Sequence, residues 1–214
     1  AINFKIDGKV VDLRLSILPT ANNERIVMRV LNKDAGDITL EQLNFEDVDL
    51  KNLRKAIHST QGLILVTGPT GSGKELIARK IHKLSKRNKG PFIILNGALL
   101  DVKKYELELF GEEKENGSIT YGSLEKASGG FLLIDEVTEI PLETQSKILR
   151  IVIDQKFKRI NGNHDIKVDV RIVCSTSKDI KKEIVHGNFR EDLFHRLNVF
   201  NINIDPLSKR IEDI

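Results

Sequence analysis

The 214-residue chain is 40% hydrophobic and 30% charged, a balance that excludes both a disordered polymer and a membrane bundle. Its 34 basic and 31 acidic side chains leave a net charge of +3, too even to argue for nucleic acid or an anionic membrane as partner. A single cysteine, Cys174, no apolar run near the roughly 20 residues of a bilayer span and no leader pattern together predict a cytoplasmic chain with neither disulfide nor membrane insertion.

In chain order, residues 1–31 read as a small antiparallel sheet. Val11, Leu13, Leu15 and Ile17 alternate with Asp12, Arg14 and Ser16, the period of a half-buried strand. Pro19-Thr20-Ala21-Asn22-Asn23 breaks the pattern, and Ile26, Met28 and Val30 restart it. Ile2, Phe4 and Ile6 suggest a third strand. Residues 32–61 read as a polar connector ending in a short helix, with Leu50, Leu53 and Ile57 on one face. From 62 to 214 apolar runs alternate with helical patterns. The runs are Leu63–Val66, Phe92–Leu95, Phe131–Ile134, Val170–Val173 and Val199–Ile204. The helical patterns are Glu75–Ser85, Val102–Phe110, Glu143–Gln155, Lys178–His186 and Arg190–Leu197. Such alternation predicts an α/β domain with a parallel sheet covered on both faces, three layers in all. Asn161-Gly162 predicts a hairpin turn between Phe157–Ile160 and Ile166–Val170.

Gly68-Pro69-Thr70-Gly71-Ser72-Gly73-Lys74 follows one apolar run and opens a helical pattern. Glycines there let successive backbone N–H groups curl around a phosphate, the helix N-terminus adds positive potential, and Lys74 reaches the β- and γ-phosphates. The next position usually carries a hydroxyl for Mg²⁺; Glu75 stands there instead, a carboxylate that either holds the metal through water or weakens its binding. Phe131-Leu132-Leu133-Ile134 runs into Asp135-Glu136, so a carboxylate to bind Mg²⁺ and another to polarise water are expected beside the loop. ATP with Mg²⁺ is the predicted ligand pair, and phosphoanhydride hydrolysis the predicted chemistry. Cys174 reads as a core thiol, and the five histidines show no metal-ligand spacing.

On these residues the chain resembles known families in two pieces. Gly73-Lys74-Glu75-Leu76-Ile77-Ala78-Arg79, Glu108-Leu109-Phe110-Gly111, Gly129–Glu136, Lys167–Val173 and Phe189–Val199 are similar to the AAA+ domain of sigma-54-dependent transcription activators, especially NtrX-type response regulators. Glu75 is ordinary in that family. Val11–Thr20, Glu24–Leu31 and Gly62–Lys74 instead resemble the type II secretion and type IV pilus assembly ATPases. The chain is therefore expected to be a chimera of two phosphate-loop NTPase families, residues 1–74 standing outside the activator family, with the seam between Ser72 and Glu75.

The activator resemblance implies that Lys74 and the loop amides bind triphosphate, Asp135 holds Mg²⁺ and Glu136 positions water. It implies that Arg190 and Arg196 act across a homo-oligomeric ring on a neighbour's nucleotide, and that Thr176 or Ser177 senses the γ-phosphate, although Asn is commoner at 177. Glu112–Tyr121 is short and lacks the Gly-Ala-Phe-Thr-Gly-Ala loop with which activators grip sigma-54, as in some NtrX-type members, so the resemblance implies a sigma-54-activator-type regulator without carrying over remodelling of sigma-54 RNA polymerase. A helical lid is expected to be absent beyond Ile214, and no receiver or DNA-binding helix-turn-helix segment is recognised. Two alternative functions follow: a non-hydrolytic nucleotide-gated interaction module, and a secretion or pilus motor.

Overall fold

The computed structural model describes residues 2–6, 9–19, 24–32, 47–59, 63–98 and 102–209. The chain divides into two compact units, Ala1–Asn44 and Phe45–Ile214.

In the first unit, strands β1 (Ile2–Ile6), β2 (Lys9–Pro19) and β3 (Glu24–Asn32) pair antiparallel in the order β1-β2-β3. The β2–β3 ladder runs from Val11 opposite Asn32 to Pro19 opposite Glu24. The alternating runs thus form the strands they predict. Proline cannot donate to a ladder, and Pro19 stands at the last position of its strand. The turn at 20–23 and most of the connector, 33–46, lie outside the described residues.

The second unit opens with α1 (Asp47–His58), three residues ahead of the first predicted apolar position. Its elements continue with β4 (Ile64–Thr67), α2 (Lys74–Leu84), β5 (Phe92–Asn96), α3 (Val102–Phe110), β6 (Gly111–Glu113), β7 (Ile119–Tyr121), α4 (Ser123–Lys126) and β8 (Phe131–Asp135). After β8 come α5 (Leu142–Asp154), β9 (Lys156–Phe157), β10 (Ile166–Lys167), β11 (Arg171–Thr176), α6 (Ile180–Val185), α7 (Glu191–Leu197) and β12 (Phe200–Asn203). Five strands make one parallel sheet in the order β12-β4-β11-β8-β5. Ile64, Leu65, Val66, Phe131 through Ile134, Val173 and Cys174 are wholly buried, as strands covered on both faces require. Burying each large aliphatic contributes about 1.5–3 kcal/mol over leaving it exposed, and this centre anchors the unit. Burial also pushes the Cys174 thiol far above its usual range, the behaviour of an inert core thiol.

Because the strands are parallel, their C-terminal residues share one edge. The register sets Thr67 beside both Thr176 and Asn203, and Asn96 beside Asp135. Ligands of open α/β sheets bind at this edge. At the opposite edge Arg171, almost fully buried, caps α1: its guanidinium donates to the carbonyls of Ser59 and, at 2.6 Å, of Ala56. Cations at a helix C-terminus satisfy its orphan carbonyls. Burial, with Arg87 nearby, lowers the Arg171 pKa to about 10.

The hairpin expected around Asn161-Gly162 is present, with shorter strands than the sequence suggests. Asn161 takes the left-handed conformation, at φ 59°, and β9 and β10 are two residues each, paired through Phe157 and Ile166. Ile160 leaves the predicted strand to bond Gly111 and Glu113 instead, both at 3.0 Å. Arg159 explains the diversion, since it bonds Glu113 and Glu125 from a nearly buried position.

Candidate functional site

β4 delivers the chain to the C-terminal edge at Thr67, and residues 68–73 turn it into α2. Close approach fixes Gly68: a Cβ there would come within 2.5 Å of the Ile204 carbonyl oxygen and 2.9 Å of Ser72 Oγ. Gly73, at φ 91° and ψ 21°, provides the left-handed entry to α2 that other residues resist. Ser72 is buried, whereas Pro69, Thr70 and Gly71 are exposed at the rim. Lys74 is 7% exposed, and its ammonium donates to the carbonyls of Gly68 at 2.9 Å and Pro69 at 3.1 Å. Glu136 Oε1 lies 3.7 Å from that ammonium. The loop, the lysine and the second acid therefore meet at one place.

Asp135 ends β8 with both oxygens engaged: Ser175 Oγ donates to Oδ1, and Asn96 Nδ2 donates to Oδ2 at 3.1 Å. Glu136 takes a left-handed backbone, φ 52° and ψ 56°, at a cost of about 1–2 kcal/mol for a residue with a Cβ. That turn sends the second carboxylate toward the loop. Its Oε2 accepts from the Ser177 amide at 2.9 Å and the Ser177 hydroxyl at 3.0 Å. One oxygen is thus fixed by Ser177, and the other faces Lys74.

Two expected residues are turned elsewhere. Thr176 is fully buried, its hydroxyl 2.8 Å from that of Thr138 and accepting from Lys178 N at 3.1 Å, so only its carbonyl touches the loop, taking Gly68 N at 3.3 Å. Strand alternation is the reason: successive side chains point to opposite faces, and Ser175, one position back, reaches Asp135. Glu75 lies on the exposed face of α2 and pairs with Arg79 at 2.7 Å, one helical turn on. Its carboxylate is held by that pair and away from the acid pair.

Arg190 caps the start of α7 and Arg196 lies in its last turn. Arg190 precedes the helix, and its guanidinium bonds Asp192 at 2.9 and 2.7 Å, holding that carboxyl below its usual range. Arg196, near the far end, lines a cavity of about 440 Å³ with Leu63, Arg171 and Val199. Leu63 and Val199 each precede a parallel strand and Arg171 begins one, so Arg196 stands at the edge opposite the phosphate loop. His195 is exposed on α7, 3.7 Å from Glu191.

Asn96 and Ser175 escaped sequence reasoning. Each is a polar residue closing an apolar run, the signal that singled out Asp135, but their meeting depends on strand register. Among the described residues no group of three or more His, Cys, Asp or Glu forms a metal cluster. The donor set still fits Mg²⁺, which keeps several waters and needs only one or two carboxylates beside phosphate oxygens.

The sigma-54 interaction domain model matches residues 43–203. The chain belongs to that family. The match corrects the expected seam, since residues 43–74, with β4 and the phosphate loop, lie inside it. Curated relatives include the nitrogen assimilation regulatory protein NtrX of Azorhizobium caulinodans, 47% identical over 156 residues, covering 72% of this chain and 34% of the relative. The regulatory protein AtoC of Escherichia coli is 48% identical over 161 residues, with 72% and 34% covered. The chain thus spans about a third of the length of these relatives. Among solved structures, NtrX of Brucella abortus superposes with a TM-score of 0.72 at 44% identity, over 81% of this chain and 41% of that one. The same protein in complex with ATP gives 0.69 at 42% identity, over 81% and 40%. The P-loop NTPase domain of an E. coli sigma-54 activator, at 15% identity and a TM-score of 0.51 over 73% and 92%, adds agreement in fold alone. The fold of residues 45–214 is that of an α/β P-loop NTPase, as the alternating pattern predicts. Among the described residues no helix is long and apolar enough to cross a membrane.

Proposed function

We propose that the chain binds ATP at residues 68–74 and hydrolyses it when assembled in a homo-oligomeric ring. The observation that carries this reading is the convergence of Lys74, the loop and Glu136, with 3.7 Å between ammonium and carboxylate. Loop amides and the N-terminus of α2 hold the β-phosphate, and Lys74 exchanges the Gly68 and Pro69 carbonyls for phosphate oxygens. Asp135, oriented by Ser175 and Asn96, would hold Mg²⁺, which would supply charge neutralisation for the phosphates. Glu136, steadied by Ser177, orients and polarises the attacking water with its free oxygen. Arg190 and Arg196 stabilise transition-state charge in the neighbouring subunit. An ATP complex of a 42% identical relative supports the choice of nucleotide. The proposed setting is the cytoplasm.

The test is retention of a fluorescent ATP analogue together with phosphate release. Lys74→Ala abolishes retention, and Glu136→Gln keeps retention while release stops. Equal retention by wild type and Lys74→Ala sinks the reading. Release that persists in Glu136→Gln removes Glu136 from it, and retention without release in the wild type leaves a nucleotide-gated interaction module.

Residues 1–42 belong, in this reading, to a separate module resembling the secretion and pilus ATPases, which moves the junction of the chimera to about residue 43. The compact unit Ala1–Asn44 and a family match opening at 43 support that division. A fragment of residues 45–214 that keeps the analogue affinity of the whole chain is the expected result. Residues Glu112–Tyr121 lack the motif of the loop with which activators grip sigma-54, so the proposal is confined to nucleotide chemistry.

A further inference from the structure

Gln145, in the first turn of α5, is a fully buried amide with both its donors and its acceptor oxygen engaged. Its Nε2 donates to the Ile140 carbonyl at 2.7 Å and the Asn188 carbonyl at 3.0 Å, and its Oε1 accepts from the Arg190 amide at 2.9 Å. Rotating the amide by half a turn would oppose an N–H to an N–H and an oxygen to two carbonyls, so one orientation is fixed. The two anchors differ in kind. Ile140 closes the 3-10 turn Val137–Glu139, whose preceding residue is Glu136. Asn188 and Arg190 belong to the loop between α6 and α7, which Phe189 pins into the core and Glu183 fastens through the Asn188 side chain at 3.0 Å. The Arg190 backbone is therefore held from inside while its guanidinium stays outside, free to exchange Asp192 for another anion.

We propose that Gln145 is the positioning residue for Arg190, setting the arginine for a nucleotide in the neighbouring subunit and tying it to the segment behind its own subunit's Glu136. The proposal rests on the ring reading above. A residue acting this way affects the neighbour's chemistry and not its own subunit's nucleotide binding.

The experiment uses the whole chain with Mg-ATP. Gln145→Met keeps the length of the side chain and removes all three bonds; Gln145→Leu, which also lacks the acceptor for the Arg190 amide, serves if the first variant does not fold. Expected are a KM within twofold of wild type, a kcat lowered about tenfold, and faster hydrogen exchange at the Arg190 amide. The deciding readout is a mixture with Lys74→Ala, which lacks its own phosphate contact but keeps Gln145 and Arg190. Mixed rings regain phosphate release above the sum of the two variants, because each supplies what the other lacks. An unchanged kcat overturns the proposal, as does a mixture no better than the sum, which marks Gln145 as structural within its own subunit. A wild-type chain that releases no phosphate overturns hydrolysis in a ring, and the Gln145 proposal with it, a result distinct from failure of the mixture.

Discussion

The phosphate loop and the arginine segment are held in opposite ways. Most bonds of the loop go to neighbours in sequence: Lys74 bonds Gly68 and Pro69, six and five residues away, and Ser72 N bonds Pro69 O, with Gly68 N to the Thr176 carbonyl as the long-range exception. The arginine segment is built from strangers, since the backbone of Arg190 hangs on an amide 45 residues earlier. A site made of contiguous residues survives changes elsewhere in the core, whereas one hung on distant bonds transmits them.

The comparison can be broken most forcefully at Phe189, the apolar anchor of the arginine segment. Phe189→Ala is expected to cost about 3–5 kcal/mol in urea unfolding, while analogue affinity of the folded fraction stays within twofold. A large affinity loss would mean the two regions are one. Next in size, Gly68→Ala drives a Cβ into the Ile204 carbonyl and is expected to cost about 1–3 kcal/mol, with at least a tenfold loss of affinity by fluorescence titration. Unaltered affinity would show that the loop tolerates a shift of its first residue. The smallest effect is expected at the edge of the sheet opposite the phosphate loop, at Arg87 and Asp169. Arg87 hydrogen-bonds that carboxylate and holds its pKa below the usual 3.8, against a lesser opposing effect of burial. A depressed folded-state pKa contributes stability that is present above the unfolded value and lost as pH falls through the folded one. Solvent screens this exposed pair, so Arg87→Leu should remove at most about 1 kcal/mol at pH 7 and flatten the acid limb of the stability curve below pH 4. A mutant whose acid limb matches wild type would assign the pair no role.

Much of this was legible because it is local. Seven consecutive residues identify the loop, and an apolar run ending in Asp135-Glu136 identifies the acids, since strand and motif are read in the same stretch of chain. The five parallel strands follow equally from apolar runs, three of them uninterrupted and two broken by Arg171 or by Asn201 and Asn203. What eluded the sequence depends on register and on partners far along the chain. Asn96 and Ser175 meet Asp135 only because β5 and β11 flank β8, and alternation decides that Ser175 and Ser177, not Thr176, face the acids. The pairing of Glu75 with Arg79, one helical turn away on the open side, was not foreseen either. The turn at Asn161-Gly162 was read by its local chemistry, yet Arg159 and its two glutamates pull the preceding residues into another pairing. Gln145 gave no motif at all, only a polar residue among the buried positions of α5.

The left-handed backbone at Glu136 carries a consequence for how such a chain would age under different pressures. Selection for heat resistance alone should favour glycine at 136, which relieves about 1 kcal/mol of backbone cost while discarding the carboxylate. Lineages kept for their chemistry should retain the acid despite that penalty. Sequencing survivors of repeated heat challenge, with and without a demand for turnover, would reveal whether this position is the first to be surrendered.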